Sequence, residues 1–182
     1  PTWTAEEGHT LPPSLDDADS GMGQSTGSLL PITWQRLVHD AALNDPDFTP
    51  QVIILQDALQ LAGHPGRLGE ALRIIRERFP GALLWAVGIG GPDNAAILAW
   101  FGVDLFDLAR SRQASARGLL LTNEGPRNIS EDLGESSDLA AQVAEWRRAL
   151  AATRSAIKQG TLRELVEKQS LNSPRLVEHL RR

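Results

Sequence analysis

The chain has 182 residues, enough for one domain with a real hydrophobic core. It lacks cysteine, which excludes a disulfide framework and any metal site built from thiolates. No apolar run approaches the length that spans a bilayer and no signal peptide is evident, so we expect a soluble cytoplasmic protein without membrane contact.

The formal net charge of −5 is concentrated at the start of the chain. Residues 1–30 contain acids but no lysine or arginine, and residues 1–31 are rich in Pro, Gly, Ser, Thr and Asp. We therefore predict a flexible acidic arm over residues 1–31 and a folded unit over 32–182. From Arg110 onward basic residues outnumber acidic ones, a bias that suits either a phosphate-binding surface or ordinary solvated helices.

The first periodic segments predict a helix, a strand and a second helix. Residues 33–43 have apolar side chains at helical spacing, and residues 52–55 form an apolar run rich in β-branched residues, a strand that leads into Gln56 and Asp57. Residues 67–79 carry one apolar stripe of a helix. No alternation of strand and helix is visible before Val52.

The most informative stretch is residues 83–107, LLWAVGIGGPDNAAILAWFGVDLFD. The apolar run 83–87 predicts a buried strand, and Gly88, Gly90 and Gly91 predict a turn without side-chain bulk. Pro92 suits the first residue of a helix because it lacks an N–H group that would be unpaired there.

The same stretch continues through a short helix over residues 95–100, with Gly102 as its left-handed stop. A strand over 103–106 then delivers Asp107 at its C-terminal end. Two parallel strands joined in this way have their functional groups at their C-terminal ends, so the glycine turn and Asp107 form the candidate site. A dinucleotide-binding turn is excluded because Asp93 stands where its third glycine would be.

The rest of the chain predicts a polar loop up to Arg117, a hairpin around residues 123–125, and helices to the end. Ser137 is the predicted N-cap of a long helix that stops at Gly160, and a capping box of Thr161 and Glu164 opens the next. The predicted core tryptophans are Trp85, Trp100 and Trp146. The predicted buried face of the long helix is Leu139, Val143, Trp146, Leu150 and Ile157.

The run GIGGPDNAAILAWFGVDLFD resembles a signature of the tRNA-guanine transglycosylase family, in which a Gly-x-Gly-x-Pro turn precedes Gly-(Val/Ile)-Asp-(Leu/Met)-Phe-Asp at this spacing. The C-terminal helices also resemble those of the family, over roughly residues 52–182, and the departures lie nearer archaeosine-type than queuine-type members. The resemblance implies an α/β fold: a partial or degenerate (β/α)8 TIM-type barrel with a C-terminal helical tail. A complete barrel needs roughly 200–250 residues, so a missing segment, an oligomeric partner or the arm is expected to cover its open edge.

The resemblance implies that Asp107 is the nucleophile of a pentosyltransferase reaction. It would attack C1′ of a tRNA ribose, displace guanine and hold a covalent intermediate until a free guanine or 7-deazaguanine base re-forms the bond. The alternatives are an exposed loop acid, or an acid that pairs with Arg110 or Arg112. Asp104 is expected on the opposite face of the strand, with a structural role.

By the same resemblance Val87, Gly88 and Gly90 would line the base pocket, against the alternative of a tight turn without a ligand. Arg110, Arg112 and Arg117 would hold tRNA phosphates, against the alternative of solvated loop charges. The zinc site of the family would fall near residues 131–138, where no Cys or His stands, so we predict no metal and no cofactor. The acids that assist proton transfer in active members have no counterpart here.

Three hypotheses follow. The first is an enzyme of queuosine- or archaeosine-type tRNA modification, or a part of one. The second is a non-catalytic tRNA- or partner-binding module derived from that family. The third is an unrelated α/β barrel that binds a phosphorylated ligand at the glycine turn.

Overall fold

The computed structural model describes residues 29–44, 47, 49–130 and 134–170. The strands are β1 (Leu29–Ile32), β2 (Val52–Leu55), β3 (Leu83–Ala86), β4 (Leu119–Thr122) and β5 (Gly125–Asn128). The α-helices are α1 (Trp34–His39), α2 (Ala58–Ala62), α3 (Arg67–Arg78), α4 (Ala95–Trp100), α5 (Ala109–Ala116), α6 (Leu139–Gln159) and α7 (Leu162–Ser170), and a 3-10 turn spans Ala41–Asn44.

A parallel sheet in the order β1-β2-β3 organises the first part of the molecule. β1 begins before the predicted boundary, so residues 29–31 belong to the sheet and not to the predicted arm. The expectation of no strand–helix alternation before Val52 is therefore wrong, because β1 is followed directly by α1. The run Leu-Leu-Pro-Ile is too short, and too close to polar sequence, to be identified as a strand without knowledge of the strand that it pairs with. The rest of the predicted arm, residues 1–28, lies outside the described residues.

The two faces of this sheet differ in what they contact. Side chains alternate along a strand, and one alternating set packs in the main core with the helices. That set is Leu30, Ile32, Ile53, Leu55, Leu84 and Ala86. We call the side of the sheet that carries this set the first face. The opposite side, which we call the second face, carries Pro31, Ile54 and Trp85. α3 covers the first face with Leu68, Ala71, Leu72 and Ile75, all fully buried, as its apolar stripe predicts.

Residues 103–106 do not form the predicted regular strand. Only Leu105 makes a bridge to Trp85, in the parallel sense. The segment still lies along β3 because Asp104 N–H and Leu105 N–H both donate to the Leu84 carbonyl, at 2.9 and 3.0 Å. α4 ends as predicted, with Gly102 at φ 88°.

The predicted polar loop between Arg112 and Arg117 is wrong, since residues 109–116 form α5. Its buried residues are small, Ser111 and Ala114, so hydrophobic periodicity does not reveal it. The predicted hairpin is confirmed as β4 and β5, with Thr122 opposite Gly125.

α6 begins one residue later than predicted, with Asp138 as its N-cap, whose carboxylate accepts from Ala141 N–H at 2.8 Å. Trp146 is buried as predicted, whereas Leu139 and Ile157 are 46% and 52% exposed. The buried face is rotated toward Gln142, Trp146, Ala149, Thr153 and Ala156. Trp100, predicted in the core, is 50% exposed. The stop at Gly160 is confirmed by its φ of 73°.

Candidate functional site

Asp107 lies at the C-terminal edge of the parallel sheet, two residues after the bridge between Leu105 and Trp85. Its side chain accepts three N–H donors. Oδ2 accepts from Gly88 N–H at 2.8 Å and from the Trp85 indole N–H at 3.0 Å, while Oδ1 accepts from Ala109 N–H at 2.9 Å. The half-buried carboxylate therefore joins the end of β3 to the start of α5.

These hydrogen bonds determine which acceptor positions of the carboxylate remain free. A carboxylate has about four acceptor positions, and three are occupied within this cluster. The remaining one is on Oδ1, so a reacting atom would approach that oxygen. Neither Arg110 nor Arg112 forms an ion pair with Asp107 within the described part of the chain. The alternative in which Asp107 pairs with one of these arginines is therefore wrong.

Asp104 binds groups on the face of the segment opposite to that of Asp107. Its Oδ2 accepts from Leu84 N–H at 2.9 Å and contacts the Arg76 guanidinium of α3. Arg76 also donates to the Ala82 and Gly102 carbonyls. The predicted structural role of Asp104 is confirmed: it anchors an outer helix to the segment that carries Asp107.

The glycine turn is closed by its own neighbours. Gly88 has φ 75°, a conformation that side chains disfavour. Asn94 fixes the other end, because its Oδ1 accepts from Gly91 N–H at 2.8 Å and its Nδ2 donates to the Ile89 carbonyl at 2.9 Å. The N–H groups of Gly88 and Gly91 are thus already bonded, which leaves little for a phosphate.

The residues predicted to line a base pocket are enclosed. Val87, Gly88 and Gly90 are all buried. A Cβ at Gly90 would lie 3.0 Å from the Phe106 ring and 3.3 Å from the Trp146 ring, so this position accepts only glycine without rearrangement. Their predicted role in base binding stays a prediction.

Arg110 forms an ion pair with Asp93, a partner that the sequence analysis did not predict. Its two terminal nitrogens donate to the two Asp93 oxygens, each at 2.8 Å, a bidentate pair. The Asp93 side chain is 7% exposed and that of Arg110 29%. Gly91 permits this approach, since a Cβ there would collide with both groups. The predicted tRNA contact of Arg110 would have to use its remaining donors.

Arg112 and Arg117 are exposed, and neither has an acidic partner within the described residues. Their predicted contact with phosphate stays a prediction. Arg147, Arg154 and Lys158 form a second cationic set, which sequence reasoning missed. We call these three residues the α6 stripe.

The α6 stripe lies on one side of its helix, because spacings of seven and eleven residues correspond to about two and three turns. Its residues are exposed and lack ion-pair partners in the portion of the chain that the structure describes. Other helical arginines are neutralised along their own helix, as Arg148 is by Glu145 and Arg163 by Glu167. The scarcity of acids in α6 is the signal that would have revealed the stripe.

An open groove of about 1040 Å³ runs along the outer side of α3 to Trp100 and Gly102. Several of its charges are already paired, Arg67 with Glu70 and Arg73 with Glu77, so it is a poor site for a charged ligand. Across the described ranges, no group of three or more His, Cys, Asp or Glu could hold a metal ion, and no helix is long and apolar enough to cross a membrane.

Comparison with known proteins identifies one distant similarity. Archaeosine synthase of Haloferax volcanii is 29% identical to this chain in an alignment 154 residues long. The match covers 75% of this chain and 26% of the relative. The chain thus spans about a quarter of the length of that protein. No family model and no solved structure matches the chain. The similarity agrees, at a coarse level, with the predicted relation to the archaeosine and tRNA-guanine transglycosylase group.

Proposed function

We propose that this chain is part of a tRNA-modifying protein of the tRNA-guanine transglycosylase type, acting in archaeosine- or queuosine-type modification with tRNA as its partner. The similarity to archaeosine synthase supports a role in tRNA modification. The observation that carries the site is the half-buried Asp107 carboxylate beside Gly88, at the C-terminal edge of a parallel sheet. This edge is where α/β enzymes place their reacting groups.

In the proposed reaction, Oδ1 of Asp107 attacks C1′ of a tRNA guanosine. The glycosidic C–N bond breaks, its electron pair leaves with guanine, and guanine takes up a proton. A 7-deazaguanine base then loses a proton, attacks C1′ and releases the carboxylate. The bonds from Gly88 and Trp85 would hold the other oxygen of Asp107 still, so that Oδ1 alone faces the ribose.

We also propose that the sheet is a sector of a (β/α)8 barrel. The parallel order β1-β2-β3, followed by a bridge to a fourth segment, supports a barrel sector. The helices pack on the first face of the sheet, as the outer helices of such a barrel do. The second face would then point toward the barrel axis.

A non-catalytic tRNA-binding module is the second candidate. The observation in its favour is that three N–H donors already occupy Asp107, which makes the carboxylate a joint between segments. In this case the cationic residues, above all the α6 stripe, would carry the contact with RNA phosphates.

A covalent-trapping experiment separates the two candidates. The purified chain is incubated with tRNA, with and without 7-deazaguanine, and run on a denaturing gel beside Asp107→Asn and Asp104→Asn. Both substitutions remove one carboxylate charge and perturb one set of N–H bonds, but only Asp107 is the proposed nucleophile. An adduct in wild type and Asp104→Asn that is absent in Asp107→Asn is expected for the enzyme. An adduct that persists in Asp107→Asn would refute the assignment of the nucleophile.

Native gels in the same experiment test the binding module. Binding should weaken steeply as salt rises, in Asp107→Asn as in wild type. Replacing the α6 stripe by glutamine should reduce the slope of log K against log salt by about 0.7–0.9 for each phosphate that is no longer neutralised. Arg148→Gln and Arg163→Gln are the matched controls, because Glu145 and Glu167 already neutralise these arginines. A chain that binds no tRNA at low salt would refute both candidates.

A further inference from the structure

α6 carries more apolar surface than the described part of the chain covers. Its predicted buried face is Leu139, Val143, Trp146, Leu150 and Ile157, and of these only Trp146 is buried. Leu139 and Ile157 are 46% and 52% exposed, and Val143 and Leu150 are half-buried. We call Leu139, Val143, Leu150 and Ile157 the apolar line of α6.

The apolar line is continuous along the helix. Leu139 and Ile157 are eighteen residues apart, which is about five full turns or about 27 Å, so they point in the same direction. Val143 and Leu150 lie between them, within about 40° of that direction. Leu150 also packs against the cluster around Trp146, so the line borders the buried face of the helix.

The α6 stripe flanks the apolar line on the side away from the core. Arg147 and Arg154 follow Val143 and Leu150 by four positions, so each cation lies one turn along the helix from an apolar residue. The stripe as a whole lies about 60–100° around the helix from the two ends of the line. The exposed side of α6 is therefore apolar along its middle and cationic along one border.

The charges of this surface limit what can cover it. A second copy docked through the same face would bring two α6 stripes together, and the one acid of α6, Glu145, is on the other side of the helix and bound to Arg148. RNA phosphates would neutralise the stripe but leave the apolar line in water. A helix with an apolar row and an acidic flank matches both features, as the paired helices of coiled coils do.

We propose that the apolar line and the α6 stripe together bind an amphipathic helix of a partner protein. The apolar residues of that helix cover the line, and its carboxylates pair with the stripe. This inference goes beyond the proposed function and does not rest on it, because docking on α6 requires no chemistry at Asp107.

The test uses the full 182-residue chain and two synthetic helical peptides of about 20 residues, long enough for the five turns of the apolar line. Both peptides carry a row of leucines at heptad spacing, flanked by glutamate in one and by lysine in the other. Binding of each labelled peptide is measured by fluorescence anisotropy. We expect the glutamate peptide to bind at least about tenfold more tightly than the lysine peptide, and more weakly as salt rises.

Substitutions on α6 locate the bound peptide. Ile157→Ser, and the double variant Arg147→Gln with Arg154→Gln, should each weaken binding of the glutamate peptide about tenfold, as the loss of an anchoring side chain does. Leu59→Ser is the apolar control, because Leu59 is 40% exposed on another helix. Arg148→Gln is the cationic control, because this arginine already has a partner on α6. Neither control should change the affinity.

Melting temperatures show whether the apolar line belongs to the fold of this chain. Ile157→Ser should melt close to wild type, whereas Val166→Ser, at a side chain only 5% exposed, should melt at a lower temperature. A loss of stability in Ile157→Ser as large as that in Val166→Ser would mean that the line is structural, and would overturn the inference.

Four binding results would also overturn it. The first is a wild-type chain that does not bind the glutamate peptide, or binds both peptides equally. The second is an affinity that Ile157→Ser leaves unchanged. The third is a wild-type dimer in size-exclusion chromatography that Ile157→Ser dissociates, which would assign the line to a second copy. The fourth is tRNA binding that the double arginine variant weakens in a chain that binds no glutamate peptide, which would assign the stripe to RNA.

Discussion

Arg110 offers the sharpest test of which interactions near the site are structural. The change is Arg110→Leu, which leaves the Asp93 carboxylate with 7% of its side chain exposed and without its bidentate partner. Removing one member of a buried ion pair costs about 3–5 kcal/mol. Because Arg110 is itself 29% exposed, solvent screens part of the interaction, and we expect the free energy of unfolding to fall by about 2–4 kcal/mol.

For a chain of this size, that change lowers the melting temperature by roughly 5–15 °C. The assay is thermal unfolding followed by circular dichroism, with Arg112→Leu as the matched control. Arg112 lies on the same helix but is exposed and has no ion-pair partner in the described ranges, so its replacement should change stability by no more than about 0.5 kcal/mol. The double variant Arg110→Leu with Asp93→Asn should recover part of the stability, since no buried charge remains.

An Arg110→Leu protein that melts at the wild-type temperature would refute this reasoning. The ion pair would then contribute nothing to stability, and Arg110 would be as available for tRNA phosphate as the resemblance implies. A double variant as unstable as Arg110→Leu would show that the uncompensated carboxylate is not the cause.

Two further predictions concern the glycine turn and the hairpin. Gly91→Ala should destabilise the fold by about 1–3 kcal/mol in urea unfolding, because its Cβ would collide with the Arg110–Asp93 pair; Gly81→Ala, where a Cβ meets nothing within 4 Å, is the control and should be neutral. The Arg127 guanidinium, and then Ser130 N–H, hold the pKa of Glu135 at about 2, below its ordinary value of 4.5. A lowered pKa contributes stability that is complete above about 4.5 and disappears as pH falls toward 2, so protection of Ser130 N–H from hydrogen exchange should fall across that window in wild type but not in Glu135→Gln.

The local patterns with a strong physical cause were predictable. The apolar stripe of α3 and the left-handed stops at Gly102 and Gly160 all follow from short-range sterics and helical periodicity. The structural role of Asp104 also followed, because alternation along an extended segment separates it from Asp107.

Where burial relies on small or polar residues, the sequence analysis missed a whole helix in one case and the buried face of a helix in another. α5 buries Ser111 and Ala114, and the buried face of α6 includes Gln142 and Thr153. Hydrophobic periodicity detects large apolar side chains, so it favoured Leu139 and Ile157, which are exposed. The close approach of α6 to Gly90 leaves room for Trp146 and alanines, and that constraint exists only once the two segments meet.

The sequence by itself determined the local strand, turn and helix that precede Asp107, since glycine conformations and apolar runs depend on neighbouring residues. Only the tertiary structure decided the partners of the charged and polar side chains. Arg110 pairs with Asp93 across seventeen residues and Asp107 with Gly88 across nineteen, whereas the Gln56 amide oxygen has no partner among the described residues. Hydrogen bonds and ion pairs depend on ångström-scale distances between segments, and no spacing along the chain encodes those distances.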